Sequence, residues 1–438
     1  MNAFHLRVCC YTTGGYFCDG YILGSIGLVL PLIAGPMGLG SVWLGLLGAS
    51  ALVGIFLGAL IFGPLTDRIG RQKILVFDLV VFVLASLAQL FADGPVLLLV
   101  LRLVLGLAMG ADYAIGPALL CEFVPKRRRG NLLASLSAVW TIGFVASYAA
   151  GFAIQQLAGP EAWRWMLASS AVPAAITLLL RLGTPESPRW LMSRGRVEEA
   201  RRIVHTYIGA DYEPDEADAA VEPVRYRELF TRRYRSRTIF AGTFWLCQVF
   251  PYFAIGTFLP AISHALGLGE GLLGEVLYNV LLALGAVAGL LMMDLLPRRR
   301  FVIVTFAVVC VALVVLGLAP SGPLALVLPT FLVLAFVISA AACLESVYPA
   351  EVFPTEVRAS GVGLAAAISR AGAALSTFVL PLVLDASGVG GTMLLLAAVV
   401  AAGLVLSVFL APETRHLSLA EAAGTAARQP ADAPDGAR

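Results

Sequence analysis

Residues 63–73 read GPLTDRIGRQK, a short charged segment between two almost wholly apolar stretches, ALVGIFLGALIF and ILVFDLVVFVLASLAQLF. Apolar stretches of this kind recur along the chain: 59% of its 438 residues are hydrophobic, 13% are charged, and the mean hydropathy is +0.88. Soluble domains carry about 25% charged residues, and a soluble fold of this length could not bury so much apolar surface. A signal peptide would account for one apolar run only. The composition therefore predicts an integral membrane protein.

A helix needs roughly 20 apolar residues to cross the hydrocarbon core. By this measure the sequence predicts an all-α membrane protein with twelve spans. Spans 1 to 6 are expected at 10–34, 43–66, 74–92, 95–121, 131–157 and 163–181, and spans 7 to 12 at 238–265, 272–295, 301–319, 323–348, 359–385 and 390–411. A β-barrel is disfavoured, because its strands would be short and would alternate polar with apolar residues.

The spans divide the chain into four expected segments. These are an N-terminal six-helix bundle over 1–181, a cytoplasmic linker over 182–237, a C-terminal six-helix bundle over 238–411, and a largely disordered cytoplasmic tail over 412–438. Nearly all of the 30 Lys and Arg residues lie at the N-terminus, after even-numbered spans or in the tail. Because basic residues mark cytoplasmic loops, we expect a multi-pass protein of the cell (inner) membrane with both termini in the cytoplasm.

The sequence carries none of the familiar patterns of an enzyme or a metal site. Its seven cysteines and four histidines are scattered, without C-x-x-C or metal-ligand spacing. It has no phosphate-binding glycine loop, no G-x-S-x-G and no H-E-x-x-H. We therefore expect no enzymatic activity, no metal and no cofactor. The net charge of +2 does not indicate a nucleic-acid partner, since the basic residues face anionic lipid.

Three polar motifs recur in the same order in the two halves of the chain, which is the mark of an internal repeat. The pairs are Asp67-x-x-Gly70-Arg71 with Asp294-x-x-Pro297-Arg298, Glu122-x-x-Pro125-x-x-x-Arg129 with Glu351-x-x-Pro354-x-x-x-Arg358, and Pro185-Glu186-Ser187 with Pro412-Glu413-Thr414. The two members of a pair are separated by nearly the same length of chain in all three cases. The repeat predicts two homologous six-helix bundles.

Each motif places carboxylates beside arginines at the water boundary, where guanidinium groups can bind carboxylates in bidentate fashion. We interpret the motifs as a cytoplasmic gate that latches the two bundles and opens when they rock. Topology signals and helix stops are the alternative interpretation. The expected gate residues are Asp67, Arg68, Gly70, Arg71, Glu122, Arg129, Glu186, Arg189, Asp294, Arg298, Glu351, Arg358 and Glu413.

The segments GPLTDRIGRQK, RLVLGLAMGADY, CEFVPKRRRG, PESPRWL, YPAEVFPTEVRASGVG and APETRHLSLAE closely resemble motifs of the major facilitator superfamily, in its sugar-porter and metabolite:proton symporter branch. The resemblance covers nearly the whole chain and implies alternating access, with substrate held at the membrane midplane between the bundles. The start, GGYFCDGYILGSIGLVLP, is more similar to bacterial metabolite transporters than to dedicated sugar carriers. The expected partners are protons, the lipid bilayer and a small polar metabolite (a sugar, polyol or organic acid), with the protein a monomer.

Charged residues inside spans are candidates for function. Asp19 in span 1 and Arg102 in span 4 are expected at similar depths, so a carboxylate and a guanidinium could form a proton switch. In the proton-coupled sugar carriers that the chain resembles, a span 1 acid and a span 4 arginine play this part. Asp112 is a second candidate, or else a structural partner of the hinge arginines. Because Ile22 stands where related symporters often carry a second acid, a facilitator with a structural Asp19 is the alternative.

Span 4 also carries Gly106 and Gly110, one and two turns after Arg102. Small residues at this spacing allow two membrane helices to approach closely. We therefore expect this face of span 4 to pack against a neighbouring helix.

A transport site combines apolar walls with a few polar groups. The candidates for substrate binding are Tyr21, Trp140, Tyr148, Gln248, Tyr252, Asn279, Glu345 and Arg370. Glu345 and Arg370 could pair with each other or meet an ionised substrate, and Arg370 makes an organic anion a candidate. The chain lacks the Gln-Gln pair that the resemblance implies for span 7 of sugar porters, so transport is better indicated than sugar as the substrate.

Two other functions are weighed against proton-coupled import. An efflux antiporter would resemble G-x-x-x-G-P-x-x-G-G in span 5, where this chain has GFVASYAAG without Gly-Pro. A transporter-like sensor would need a long signalling tail or loop, and the tail here is short. The sequence therefore favours an importer.

Overall fold

The computed structural model describes residues 3–123, 129–208, 226–268, 272–293, 295–353 and 357–414. The helices are α1 Ala3–Ala34, α2 Ser41–Ile69, α3 Arg71–Ala88, α4 Pro95–Phe123, α5 Arg129–Ala158, α6 Ala162–Ala168, α7 Ala171–Arg181, α8 Pro188–Ser193, α9 Val197–Ile203, α10 Arg235–Thr257, α11 Leu259–Ala265, α12 Leu272–Met293, α13 Arg298–Leu318, α14 Leu324–Ala342, α15 Leu344–Val352 and α16 Arg358–Leu410. These described residues include no β-strand. The predicted linker and tail lie partly outside them, over 209–225 and from residue 415.

Eleven helical segments of the described chain are long and apolar enough to cross a membrane. Helices α6 and α7 together form one of them, and α14 with α15 forms another. The last segment, Ser360–Leu410, has 51 residues, whereas one crossing needs about 20. The sequence predicts two spans in this region.

The chain reverses its direction within α16, at Gly388, whose φ of 67° and ψ of −177° are not helical. A Cβ on Gly372 would lie 2.7 Å from the side chain of Leu246, and one on Gly403 would lie 2.6 Å from that of Cys247. In one straight helix, residues 372 and 403 would be about 46 Å apart. They can flank adjacent residues of α10 only if the chain folds back between them. The described chain therefore contains twelve apolar helices, which confirms the predicted number.

The same close helix contact occurs in both halves. A Cβ on Gly58 of α2 would collide with the carbonyl oxygen of Leu107 on α4, and a Cβ on Gly285 of α12 would collide with that of Phe336 on α14. Gly58 and Gly285 are as far apart along the chain as the repeated motifs are, and so are the residues that they contact, Leu107 and Phe336. The internal repeat is therefore present in the helix packing as well as in the sequence.

The predicted close packing of α4 through its glycine face is confirmed. A Cβ on Gly106 would collide with the carbonyl oxygen of Ala51, and one on Gly110 would lie 2.7 Å from the Cα of Gly58. Without these side chains the backbones of α2 and α4 touch directly, as in other membrane helix pairs with small residues at the contact.

We expect Gly388→Ala to lower the melting temperature of the protein, because a positive φ with an extended ψ is adopted almost only by glycine and costs an alanine about 1–3 kcal/mol. Gly363→Ala is the matched control: it lies in the same segment, a Cβ there meets nothing within 4 Å, and its φ is not positive. Thermal unfolding of the purified proteins in detergent measures both. Equal melting temperatures for the two variants would contradict the assignment of the reversal to Gly388.

Candidate functional site

The end of the molecule where α2 meets α3 is called the hinge end here, and its main feature is the carboxylate of Glu186. Its Oε1 accepts hydrogen bonds from the backbone N–H groups of Arg71 and Gln72, both at 3.0 Å, and of Ser187 at 2.9 Å. The first N–H groups of a helix have no partner within it, and the helix dipole favours a negative charge there. Glu186 therefore caps α3.

Gly70 allows this cap to form. It precedes α3 with a φ of 113°, a backbone conformation that residues with a side chain rarely adopt. A Cβ on Gly70 would also collide with Oε2 of Glu186. Both the backbone and the space require glycine at this predicted gate position.

The second half repeats the cap with Glu413. Its carboxylate accepts hydrogen bonds from the backbone N–H groups of Arg298 at 3.0 Å, Arg299 at 3.2 Å and Thr414 at 3.1 Å. Glu186 and Glu413 are as far apart along the chain as Arg71 and Arg298 are. The sequence predicted that these glutamates would meet guanidinium groups. The bonds described above run to backbone N–H groups, because the start of a helix offers several unpaired donors; the contacts with guanidinium groups stay a prediction.

An ion pair of the predicted kind joins Arg298 to Glu351. Nε and Nη2 of Arg298 each lie 3.4 Å from an oxygen of Glu351, and Thr414 donates a hydrogen bond to Glu351 at 2.5 Å. The end of α15, the start of α13 and the residues after α16 are thus fastened together. This pair and the two glutamate caps each lie within one half of the chain.

For the other predicted gate residues, the structure describes fewer contacts. The carbonyl of Arg68 accepts a hydrogen bond from Arg194 at 3.1 Å, and Nε of Arg358 donates to the carbonyl of Phe353 at 3.2 Å. Arg189 lies on the short helix α8. The side chains of Asp67, Glu122 and Arg129, and the whole of Asp294, lie outside the described residues.

A buried guanidinium lies between two buried carboxylates in the first half. Nη1 of Arg181 is 3.6 Å from Oδ1 of Asp78, and Nη2 is 3.6 Å from Oδ1 of Asp112. None of the three side chains is more than 1% exposed. Nη1 of Arg181 also donates to the carbonyl of Leu75 at 2.7 Å. Arg181 therefore ties α7 to α3 and α4.

Asp19 completes this group, which we call the buried acidic cluster: Asp19, Asp78, Asp112 and Arg181. Asp19 is fully buried, and its oxygens have no hydrogen-bond partner among the described residues. It lies within electrostatic range of the other three members and of Arg370. Three carboxylates thus share one guanidinium.

Sequence analysis missed Asp78 and Arg181. Asp78 carried a usable signal, since it is a charge within the apolar run of span 3 and such charges are candidates by default. Arg181 carried none, because an arginine at the end of a span is indistinguishable from a topology signal.

Arg102 does not contact Asp19 in the structure. Its Nη1 donates to the carbonyl of Ile22 at 3.1 Å, and its Nε and Nη2 have no partner among the described residues. Ile22 is three residues from Asp19, about 4.5 Å along the helix axis. The expected similarity in depth therefore holds, but depth alone does not determine which neighbour a side chain meets. A role for Arg102 in proton coupling stays a prediction.

A central cavity of about 50 Å³ lies between the two halves. Its lining comes from α1, α4 and α5 of the first half and from α10, α14, α15 and α16 of the second: Tyr16, Tyr113, Ser137, Trp140, Thr141, Tyr252, Phe253, Ala342, Glu345 and Arg370. Aromatic walls with a few polar groups are typical of small-molecule sites. The volume suffices for only a few water molecules, so a metabolite can enter only after the lining has moved.

Four of the eight predicted substrate-binding residues line this cavity: Trp140, Tyr252, Glu345 and Arg370. The other four lie outside the lining, and each bonds to a neighbouring group: Tyr21 to Ser169 at 2.8 Å, Tyr148 to the carbonyl of Gly256 at 2.8 Å, Gln248 to that of Ile338 at 2.8 Å, and Asn279 to that of Glu275 at 2.9 Å. Ser137 and Thr141 were missed, although Ser137 lies three residues before Trp140 and four before Thr141, the spacings at which residues share a helix face.

Aromatic residues hold the two charged groups of the lining. The guanidinium of Arg370 lies over the ring of Tyr113, 4.4 Å from its centroid. Nε1 of Trp245 donates a hydrogen bond of 2.9 Å to Oε2 of Glu345. Arg370 and Glu345 are within electrostatic range of each other, but no ion pair joins them in the described chain. The predicted alternative of a direct pair is therefore not what the structure shows.

The two halves touch at the end opposite the hinges. The hydroxyl of Tyr148 on α5 donates to the carbonyl of Gly256 on α10 at 2.8 Å. A Cβ on Gly45 of α2 would collide with the carbonyl of Phe378 on α16. These direct contacts join the two halves at that end.

Twelve apolar helices in a twofold repeat, with a polar-lined cavity between the halves, define a secondary transporter of the major facilitator type. The family described as "Sugar (and other) transporter" matches residues 9–424, and the chain belongs to this family.

The relatives of the chain are transporters rather than enzymes. It is 44% identical to the inner membrane metabolite transport protein YgcS of Escherichia coli, over 96% of this chain and 94% of that protein. It is 28% identical to the arabinose-proton symporter of Bacillus subtilis, over 95% and 94%. The xylose transporter XylE of Escherichia coli, in a partially occluded inward-open conformation, superposes with a TM-score of 0.81 over 95% of this chain and 100% of that one, at 19% identity. This last likeness shows the fold.

We expect Glu186→Ala and Glu413→Ala to destabilise the protein by similar amounts, about 1–2 kcal/mol each, because both remove a helix cap. Glu198→Ala is the control: its side chain is 77% exposed and pairs only with Arg201 on the same helix, and such pairs contribute little. Thermal unfolding in detergent measures all three. A cap variant that unfolds no earlier than the control would contradict the role given to that carboxylate.

Proposed function

We propose that this protein is a proton-coupled importer that carries a small polar metabolite across the inner membrane by alternating access. The observation that carries the proposal is the buried acidic cluster beside the central cavity. The general class, a sugar or metabolite transporter of the major facilitator superfamily, is already given by the family. Proton coupling, direction and substrate are what the proposal adds.

The composition of the cluster supports proton coupling. Moving a carboxylate out of water is costly unless a cation or a proton neutralises it, and the three carboxylates outnumber their cations, which are Arg181 within the cluster and Arg370 within electrostatic range of Asp19. Protons are the neutralising partner that remains. Their binding and release follow the exposure of the cluster to water, which changes when the two halves rock.

Asp19 connects the cluster to the cavity. It is three residues from Tyr16, which lines the cavity, and it is within electrostatic range of Arg370 on the opposite half. A proton bound or lost at Asp19 changes the electric field in which a substrate binds. Coupling between proton and substrate then needs no direct contact between them.

Relatives and topology support the inward direction. One relative is an inner membrane metabolite transport protein and another is an arabinose-proton symporter, and symport with protons moves substrate inward. The distribution of basic residues supports a cytoplasmic position for the hinge end and both termini. We assign the hinge residues to the inner gate, with the glutamate caps holding the helix ends of each half together so that each half moves as a unit.

In liposomes that contain a pH-sensitive dye, we expect a substrate among sugars, polyols and organic acids to cause proton influx. Asp19→Asn should reduce this influx to the level of empty liposomes, because the amide cannot take up a proton. It should still allow exchange of labelled for unlabelled substrate. Asp93→Asn is the control, since the Asp93 side chain is 91% exposed and pairs with Arg164 outside the cavity.

Two results would contradict the proposal. Substrate flux without proton flux would make the protein a facilitator and Asp19 a structural residue. Substrate export in exchange for protons would make it an efflux antiporter. Proton influx that persists in Asp19→Asn would leave symport intact and move the coupling site to other members of the cluster.

A further inference from the structure

We infer that the central cavity binds a hydroxylated carboxylate, such as a sugar acid, with Arg370 holding the carboxylate and Glu345 accepting a hydroxyl. The inference rests on the proposed function, because it takes the cavity to be the transport site. It narrows a substrate class that otherwise includes neutral sugars and polyols.

The guanidinium of Arg370 is placed to bind an anion. Its Cζ lies over the ring of Tyr113, 4.4 Å from the centroid, and this cation–π contact uses the charge of the guanidinium without giving its N–H groups an acceptor oxygen. Among the side chains that the structure describes, none forms an ion pair with it. The plane of donors matches a carboxylate, which can accept two parallel hydrogen bonds from it.

Glu345 is fixed in a way that leaves one acceptor. Nε1 of Trp245 donates to its Oε2 at 2.9 Å, and its Oε1 has no hydrogen-bond partner in the described chain. A substrate hydroxyl can donate to that oxygen. A substrate carboxylate has no proton to donate to it. Glu345 and Arg370 therefore select different groups of the substrate.

Trp140 supplies a third polar group. It lines the cavity, is only 8% exposed, and its Nε1 has no partner among the described residues. A buried indole N–H usually finds an acceptor, and a substrate oxygen in the cavity would be one. Trp140 therefore adds a donor to the lining that Arg370 and Glu345 share.

The separation of the charges favours a charged substrate over a neutral one. Glu345 and Asp19 are within electrostatic range of Arg370, but neither forms an ion pair with it in the described chain, and a guanidinium away from water is costly unless an anion binds it directly. A neutral sugar or polyol would displace water from Arg370 and offer no charge in return. A hydroxy acid compensates Arg370 and still gives Glu345 a donor.

Three ligands of equal chain length test the inference on the full-length protein in detergent: D-gluconate, D-sorbitol and hexanoate. Sorbitol has the hydroxyls without the carboxylate, and hexanoate has the carboxylate without the hydroxyls. Quenching of tryptophan fluorescence measures binding, because Trp140 lines the cavity. We expect gluconate to bind at least about tenfold more tightly than either, since hydrogen bonds to charged groups are strong.

Arg370→Gln should weaken gluconate binding by at least about tenfold and leave the binding of sorbitol unchanged. Arg370→Lys should fall between the two, because lysine keeps the charge and loses the planar fork. Arg201→Gln is the control, since this side chain is 72% exposed on α9. If Arg370→Gln does not fold, Arg370→Lys and the ligand series on the unmodified protein still decide.

Sorbitol or D-glucose binding as tightly as gluconate would overturn the inference, as would unchanged gluconate binding by Arg370→Gln. So would serine binding in place of gluconate, which would indicate an amino-acid site. The proposed function is tested separately by proton influx in liposomes. If gluconate binds and enters without protons, the substrate inference is supported and proton coupling is refuted. If D-xylose enters with protons while gluconate does not bind, proton coupling is supported and the substrate inference is refuted.

Discussion

A charge inside the hydrocarbon is costly unless a partner or a proton compensates it, and the structure is organised around the few charges placed there. The two halves treat them differently. In the first half, Arg181 lies against Asp78 and Asp112 in a sealed cluster. In the second half, Glu345 and Arg370 face the cavity. The repeat in the backbone is therefore not a repeat in chemistry: one half holds acids away from water, and the other presents opposite charges to a ligand.

If the chain works as the proposed symporter, this division separates proton exchange from substrate binding, two tasks that symport must connect. Groups that exchange protons need surroundings whose exposure to water can change. Groups that bind substrate must face the cavity through which the substrate passes. Asp19 lies at the meeting point, buried in the first half and within electrostatic range of Arg370. An electrostatic link of this kind acts across the boundary between the halves without a shared hydrogen bond, so it does not hinder their movement.

The sequence predicted the class, the number of apolar helices and the repeat, because each depends on patterns along the chain. It also predicted Trp140, Tyr252, Glu345 and Arg370, all of which line the cavity. It did not identify the neighbours of Asp19 or Arg102, since the depth of a residue is readable from its position in a span but the rotation of its helix is not. That rotation comes from packing between segments far apart in sequence. For the same reason Gln248 was expected at the substrate and instead bonds to the carbonyl of Ile338.

The hinge glutamates show a second limit of prediction from the sequence. Their position beside arginines suggested ion pairs, but Glu186 and Glu413 bind backbone N–H groups. Every residue except proline carries such a donor, so nothing along the chain shows which ones are free. Only the start of a helix reveals them, and here that start is set by Gly70 in one half and by Pro297 in the other.

The reversal at Gly388 joins the last two apolar helices with almost no intervening chain. Two helices joined by so short a connection cannot slide far past each other, so they move together. Arg370 lies on the first of these helices, and the second ends just before Glu413, which caps α13. Under the proposed function, a ligand that displaces Arg370 would act on the proposed gate through this one uninterrupted stretch of chain.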